Sequence, residues 1–204
     1  ALLGARGVSR RAMMVGAVAL VLLAASGWLL VQSMRDREHL VAAGPPTFNL
    51  VYAPSALRER PVRNGELARL EGQLERVSVE ITVRPVEIAS ATPDAFIGGE
   101  LPAAAERRLD ELRAIHGPIE VFDEGKSRIS GLPGYQIGFG ARTSSGKRLL
   151  GRDAYVFGDE PGAATGVLLS LRRVVRGRQR TREEEFFDKA KEAFVSFAFG
   201  ESQP

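Results

Sequence analysis

Residues 134–175 read GYQIGFGARTSSGKRLLGRDAYVFGDEPGAATGVLLSLRRVV, and this stretch decides the fold. Three runs within it have strand character: Tyr135 to Gly140, Arg152 to Phe157 and Gly166 to Val175. Between them stand Thr143-Ser144-Ser145-Gly146 and Gly158-Asp159-Glu160-Pro161-Gly162, both dense in turn-forming residues. A parallel neighbour needs a crossover of about a dozen or more residues, usually a helix, and neither loop has room for one. Consecutive strands therefore run antiparallel, as a meander.

Working outward, Ile119 to Phe122, with room to run on to Ile129, supplies a preceding strand, followed by the turn residues Gly131-Leu132-Pro133-Gly134. Further upstream Val77, Val79, Ile81 and Val83 alternate with Ser78, Glu80, Thr82 and Arg84. That period of two marks a half-buried strand, and Pro85 is expected to limit it. Phe48 to Tyr52 and Leu67 to Leu70 are shorter strand candidates, separated by a polar loop containing Pro54 and Pro61.

Two helices complete the pattern. Leu101 to His116 has Pro102 near its first turn, Gly117 just past its end and Pro118 beyond. Ala105, Leu109, Leu112 and Ile115 form its apolar stripe. The second helix opens at Thr181, where Glu184 completes a capping box and Glu183 to Glu185 suit the positive end of the dipole. Its stripe is Phe186, Ala190, Ala193 and Phe197, thickened by Phe187 and Phe194. So phenylalanine-rich a face is a packing element.

Residues 12–34, AMMVGAVALVLLAASGWLLVQSM, carry no charge over 23 positions and are bracketed by Arg10, Arg11, Arg35 and Arg37. About 20 apolar residues at 1.5 Å rise cross the ~30 Å hydrocarbon core of a bilayer, and a helix satisfies its own backbone while doing so. A cleaved signal peptide is the alternative, but Trp28, Leu29, Leu30 and Val31 continue the apolar run past the small residues Ala24-Ala25-Ser26. The expected organisation is a basic flank (1–11), a transmembrane helix (12–34), a juxtamembrane linker (35–46) and a soluble α+β domain (47–204). Arg6, Arg10 and Arg11 against Arg35 and Arg37 place the N-terminus inside and the domain outside.

The formal charge of +3 comes from the flanks of that segment: residues 39–204 hold 23 Lys+Arg and 23 Asp+Glu. A high isoelectric point is therefore no argument for nucleic acid, and none is expected as partner. Only Lys126, Lys147, Lys189 and Lys191 of the 28 basic residues are lysine, an arginine bias that fits a GC-rich bacterial genome. There is no cysteine, hence no disulfide, no thiolate metal site and no lipidated cysteine.

Catalytic chemistry finds little to build on. His39 and His116 are far apart in sequence, which gives no nucleophile–base pair or metal-ligand spacing. Ser144-Ser145-Gly146-Lys147 resembles a phosphate loop only in part, with Ala141 where a glycine belongs and Arg148 where Ser or Thr belongs. The expectation is no enzyme, no metal and no cofactor. One surface feature stands out: Arg172, Arg173, Arg176, Arg178, Arg180 and Arg182 put six arginines into eleven positions. They form either a solvated loop balanced by Glu183 to Glu185 or a basic surface for anionic lipid or an acidic protein partner. The absence of interleaved aromatics excludes a single-strand nucleic-acid platform.

The order of parts resembles the PsbP-like α/β/α sandwich family. The resemblance rests on a Phe-x-Leu-x-Tyr strand at 48–52, a central helix, Gly134-Tyr135 with Phe139, Gly151-Arg152-Asp153 with Tyr155, and the closing Phe194, Ser196, Phe197 and Phe199. It covers residues 47–200 and implies an antiparallel sheet flanked by helices, used mostly for non-enzymatic protein binding; it transfers no catalytic residue. The expected fold is thus α+β, an antiparallel sheet flanked by helices and preceded by one transmembrane helix. The expected function is a non-catalytic binding or accessory domain of the bacterial envelope, anchored in the plasma membrane. The alternative is small-ligand handling in a sheet–helix cleft lined by Tyr135, Arg152 and Tyr155.

Overall fold

The structure, a computed structural model, describes residues 37–42, 46–87, 99–158, 165–177 and 181–200. The expected transmembrane segment, 12–34, lies outside these residues. Among the described residues no helix is long and apolar enough to cross a membrane.

The chain builds β1 (Glu38–Ala42), β2 (Phe48–Tyr52), β3 (Arg58–Glu59), β4 (Ala68–Leu74) and β5 (Val77–Glu87) before the first helix, α1 (Leu101–His116). Then come β6 (Glu120–Ile129), β7 (Leu132–Arg142), β8 (Arg148–Phe157), β9 (Thr165–Val175), α2 (Thr181–Val195) and β10 (Ala198–Phe199). Seven strands form one sheet in the order β3-β4-β5-β9-β8-β7-β6, every pairing antiparallel. The meander read from the sequence is β6 to β9. A second sheet, β1-β2-β10, joins the two ends of the domain.

Alternation along the strands sorts the core into two layers. On one face Val77, Val79, Ile81, Val83, Leu169 and Leu171 pack with Phe186, Ala190, Ala193 and Phe194 of α2. The small sheet joins this layer, with Phe48 stacked on Phe197 at 5.4 Å. On the other face Ile137, Phe139, Tyr155 and Phe157 pack under Leu101, Ala105, Leu109 and Leu112 of α1. The result is a sheet with a helix on each face.

Four local expectations change. Glu38–Ala42, inside the expected linker, forms β1 and pairs with β2 over five residues, so the domain begins ahead of residue 47. Pro85 does not end β5, which continues to Glu87 against β9. The Val83 carbonyl accepts from Leu67 (2.8 Å), so residue 85 also faces the β4 side, where β4 has already ended at Ala68. The missing N–H of proline costs no ladder bond there. The β6–β7 turn is Ser130-Gly131, with φ of 49° and 83°, the signature of a two-residue primed turn; Leu132 to Gly134 belong to β7. Finally, Ile115 leaves the apolar stripe of α1 and is 67% exposed.

Candidate functional site

Helix α1 covers β7, β8 and part of β9, but not the β4–β5 side of the same face. There the alternating positions of β5 are Ser78, Glu80, Thr82 and Arg84, too polar to close over with a core. The uncovered ground is a cleft of about 950 Å³. Its floor includes Ser78, Thr82 and Ser170; one wall is Leu112, Ile115 and His116 of α1; the opposite rim carries Arg58, Arg60, Arg63 and Arg84.

Two ion-pair networks hold this surface. The first centres on Asp153, fully buried on β8. Arg172 of β9 donates through Nη2 to Asp153 Oδ2 at 2.8 Å and through Nη1 to Oδ1, making a bidentate pair, while its guanidinium lies 4.8 Å from the Phe139 ring centre. From α1, Arg108 Nε donates to the same Oδ2 at 2.9 Å and Nη1 to Glu111 at 2.6 Å. Burial by itself would raise the Asp153 pKa, but the two guanidiniums outweigh it and hold the carboxyl below its ordinary range. His116 at the end of α1 is pushed down by burial and by the same cations, Arg172 and Arg108.

The second network centres on Arg69 of β4, which is 4% exposed. Its guanidinium donates to Glu71 (2.8 Å), to the buried Glu66 (3.1 Å) and to Glu80. Burial alone would lower the Arg69 pKa; the three carboxylates more than reverse that. Glu66 also accepts the Arg63 backbone N–H at 2.9 Å and approaches Arg84 Nη2 at 3.5 Å. Glu71 reaches Arg60 at 3.5 Å. Arg58 and Arg63 have no ion-pair partner among the described residues. Around Arg69, five guanidiniums (Arg58, Arg60, Arg63, Arg69, Arg84) therefore meet three carboxylates (Glu66, Glu71, Glu80), and the rim keeps a positive surplus.

The residues expected from sequence are distributed differently. Arg172 and Arg173 are consecutive on a strand and point to opposite faces. Arg172 enters the Asp153 network; Arg173 lies 4.2 Å from the Phe187 ring centre on the α2 face, its pKa lowered chiefly by burial. Arg176 and Arg182 are exposed; Arg178 and Arg180 lie outside the described residues. Of the three residues expected to line a sheet–helix cleft, none lines the cleft beside α1. Tyr155 sits beneath α1, donating to the Ala104 carbonyl at 3.1 Å, with its pKa raised to about 12 mainly by burial. Tyr135 donates to Glu124 at 3.1 Å, and Arg152 approaches Asp123 at 3.4 Å on the opposite face. The rim arginines went unread because Arg58, Arg60 and Arg63 fall in a stretch that looks like a polar loop. Their signal was density: with Arg69 they put four arginines into twelve positions.

Neither a family model nor a curated protein matches the sequence. Solved structures do match in fold. CyanoP, the cyanobacterial PsbP of Synechocystis, aligns at TM-score 0.53 with 12% identity, over 81% of this chain and 93% of that one. LpqN of Mycobacterium tuberculosis, described as involved in cell envelope biogenesis, aligns at TM-score 0.50 with 13% identity, over 80% and 91%. The Ran-binding protein Mog1p of Saccharomyces cerevisiae aligns at 0.48 with 12% identity, over 79% and 94%. The domain has the PsbP-like fold. At these identities the likeness is one of fold.

Proposed function

We propose that the chain is a single-pass, membrane-anchored binding or accessory protein of the bacterial envelope. Its domain lies on the outer face and engages its partner through the cleft beside α1. The observation that carries this reading is the cleft itself: a broad polar surface in which ion pairs fix Arg69, Arg108 and Arg172, while Arg58 and Arg63 on the rim keep their charge for a partner. Fixed charge of this kind recognises a partner at low ordering cost. It is poorly suited to proton transfer, since Asp153 is held ionised by two guanidiniums and Glu66, Glu71 and Glu80 are each spent on Arg69. Among the described residues no group of His, Asp and Glu is placed to hold a metal ion. The anchor is supported by the 23 uncharged positions of 12–34, and an envelope setting by the description of LpqN. The exposed Arg176 and Arg182, with Arg178 and Arg180, would add a basic rim facing anionic lipid or an acidic partner.

The test uses intact cells with a photocrosslinking side chain at position 63 in the cleft, or at the exposed position 191 on α2. The expected result is a carbonate-resistant membrane protein, digestible by external protease once any outer barrier is opened, with a discrete adduct from position 63 alone. Adducts from both positions alike, or from neither, would remove the cleft from the reading. Protection from protease would move the domain to the cytoplasmic side.

A further inference from the structure

The cleft has two unlike walls, and that asymmetry specifies an occupant. One wall offers Arg58, Arg60, Arg63 and Arg84; two of these have no ion-pair partner among the described residues, and Arg84 Nε is enclosed without a hydrogen-bond acceptor. The facing wall offers Ile115, a large aliphatic side chain two-thirds exposed, with Leu112 behind it. Among the described residues no Phe, Tyr or Trp lines the cleft, so a sugar face or a nucleobase finds no broad stacking platform there. Guanidinium forks match carboxylates bidentately, and an exposed isoleucine beside them gains by covering.

We infer that the cleft binds an acidic segment of a partner protein, its carboxylates on the Arg58–Arg60–Arg63–Arg84 wall and an aliphatic side chain against Ile115. This rests on the reading of the cleft as the binding surface and gives its partner a chemistry. The carboxylates already present compensate the rim only in part: Glu71 reaches Arg60 and Glu66 approaches Arg84, but Glu66, Glu71 and Glu80 all converge on Arg69, and Arg58 and Arg63 have no ion-pair partner among the described residues.

The experiment titrates the purified full chain, in mild non-ionic detergent, with fluorescent octapeptides. One is Glu-Glu-Leu-Glu-Glu-Leu-Glu-Glu; a second replaces every Glu by Gln, and a third replaces each Leu by Gly. Phosphatidylglycerol vesicles form a parallel arm. The expected result is saturable binding of the first peptide, at least tenfold weaker with the Gln peptide, weaker with the Gly peptide and weakened by salt. Arg58→Glu and Arg63→Glu, at exposed positions without an ion-pair partner, should each weaken it about tenfold with an unchanged melting temperature, and Ile115→Ser should weaken it without altering the salt dependence. Equal binding of the Gln peptide, sensitive to Arg63→Glu, would overturn the acidic class and leave the cleft reading standing. Binding insensitive to both charge reversals would overturn both. No peptide binding, with vesicle binding that both reversals abolish, would replace the protein segment by a lipid headgroup; no binding of either would overturn the inference, while the adduct from position 63 judges the cleft independently.

Discussion

Asp153 shows how much of this surface hangs on one side chain. It is fully buried and accepts from two guanidiniums that reach it from different elements, Arg172 on β9 and Arg108 on α1. Removing one partner of such a group leaves buried charge uncompensated, at a cost of about 3–5 kcal/mol. Asp153→Asn should therefore lower unfolding free energy by that order, read by urea denaturation at pH 7. The pH dependence has a definite sign. The folded-state pKa lies below the unfolded value of about 3.9, so the stabilisation is complete above that value and is lost as pH falls through the folded one. The gap between the natural protein and Asp153→Asn should begin to narrow as pH falls below about 4; a gap constant from pH 7 to pH 3 would mean that the carboxylate charge contributes nothing. The sequence could place Asp153 on a strand but not pair it with Arg108, because the partner is chosen by how α1 crosses the sheet. That Arg172 and Arg173 diverge was legible, since a period of two sends neighbours to opposite faces.

At the level of elements, β4 is held under the β2–β3 loop by the absence of a side chain. A methyl group on Gly72 would lie 2.0 Å from the Ala56 carbonyl oxygen and 3.0 Å from the Phe186 ring. A ring can tilt away, but a backbone carbonyl moves only with its loop. Gly72→Ala should thus displace the segment around Ala56 and Leu57, both buried, at about 1–3 kcal/mol. Differential scanning calorimetry measures the loss, and faster amide exchange at Ala56 and Leu57, whose N–H groups donate to the Ala53 carbonyl, locates it. An unchanged melting temperature would show that the loop yields freely. Elements with strong local signals were legible: β6 to β9 follow from turn chemistry and α1 from Pro102 and Gly117, whose N–H closes on the Arg113 carbonyl at 2.8 Å. What could not be read was the set of short strands β1, β3 and β10. β1 and β3 pair with the next strand in sequence and β10 with β2 from the other end of the domain, and each is too short to carry a signal of its own. Ile115 fits the helical period yet is exposed, because the period gives a stripe and not the place where the sheet beneath turns polar.

For the whole molecule, the small sheet is the device that closes the domain. β2 is paired on one side by β1 from the N-terminal end and on the other by β10 from the C-terminal end. Ser196, just past α2, accepts from the Val51 N–H at 2.9 Å and donates through the same hydroxyl to the Val51 carbonyl at 3.0 Å. Tyr52 donates at 2.6 Å to Glu38 on β1 and approaches Glu59 on β3 at 3.2 Å, tying the first strand to the edge of the large sheet. Burial and the two acids push the Tyr52 pKa up, so the hydroxyl keeps its proton at any physiological pH and the tie persists. It follows that residues 38–42 are part of the folding unit rather than a tether. A fragment spanning 38–204 should melt cooperatively, whereas one spanning 47–204 loses the β1 pairs, the Tyr52–Glu38 bond and the packing of Leu40 on the core. With roughly half of the ~1.5–3 kcal/mol of a fully buried leucine for the partly buried Leu40, and ~1 kcal/mol for each hydrogen bond lost, the shorter fragment should be less stable by about 3 kcal/mol. That corresponds to a drop of roughly 6–12 °C in Tm for a domain of this size. The bare outer edge of β2 would also be open to pairing between molecules, so size-exclusion chromatography should show the shorter fragment self-associating where the longer one does not. Equal melting temperatures and equal elution would instead make β1 a strand that the domain does not need, and would return residues 35–46 to the role of a linker.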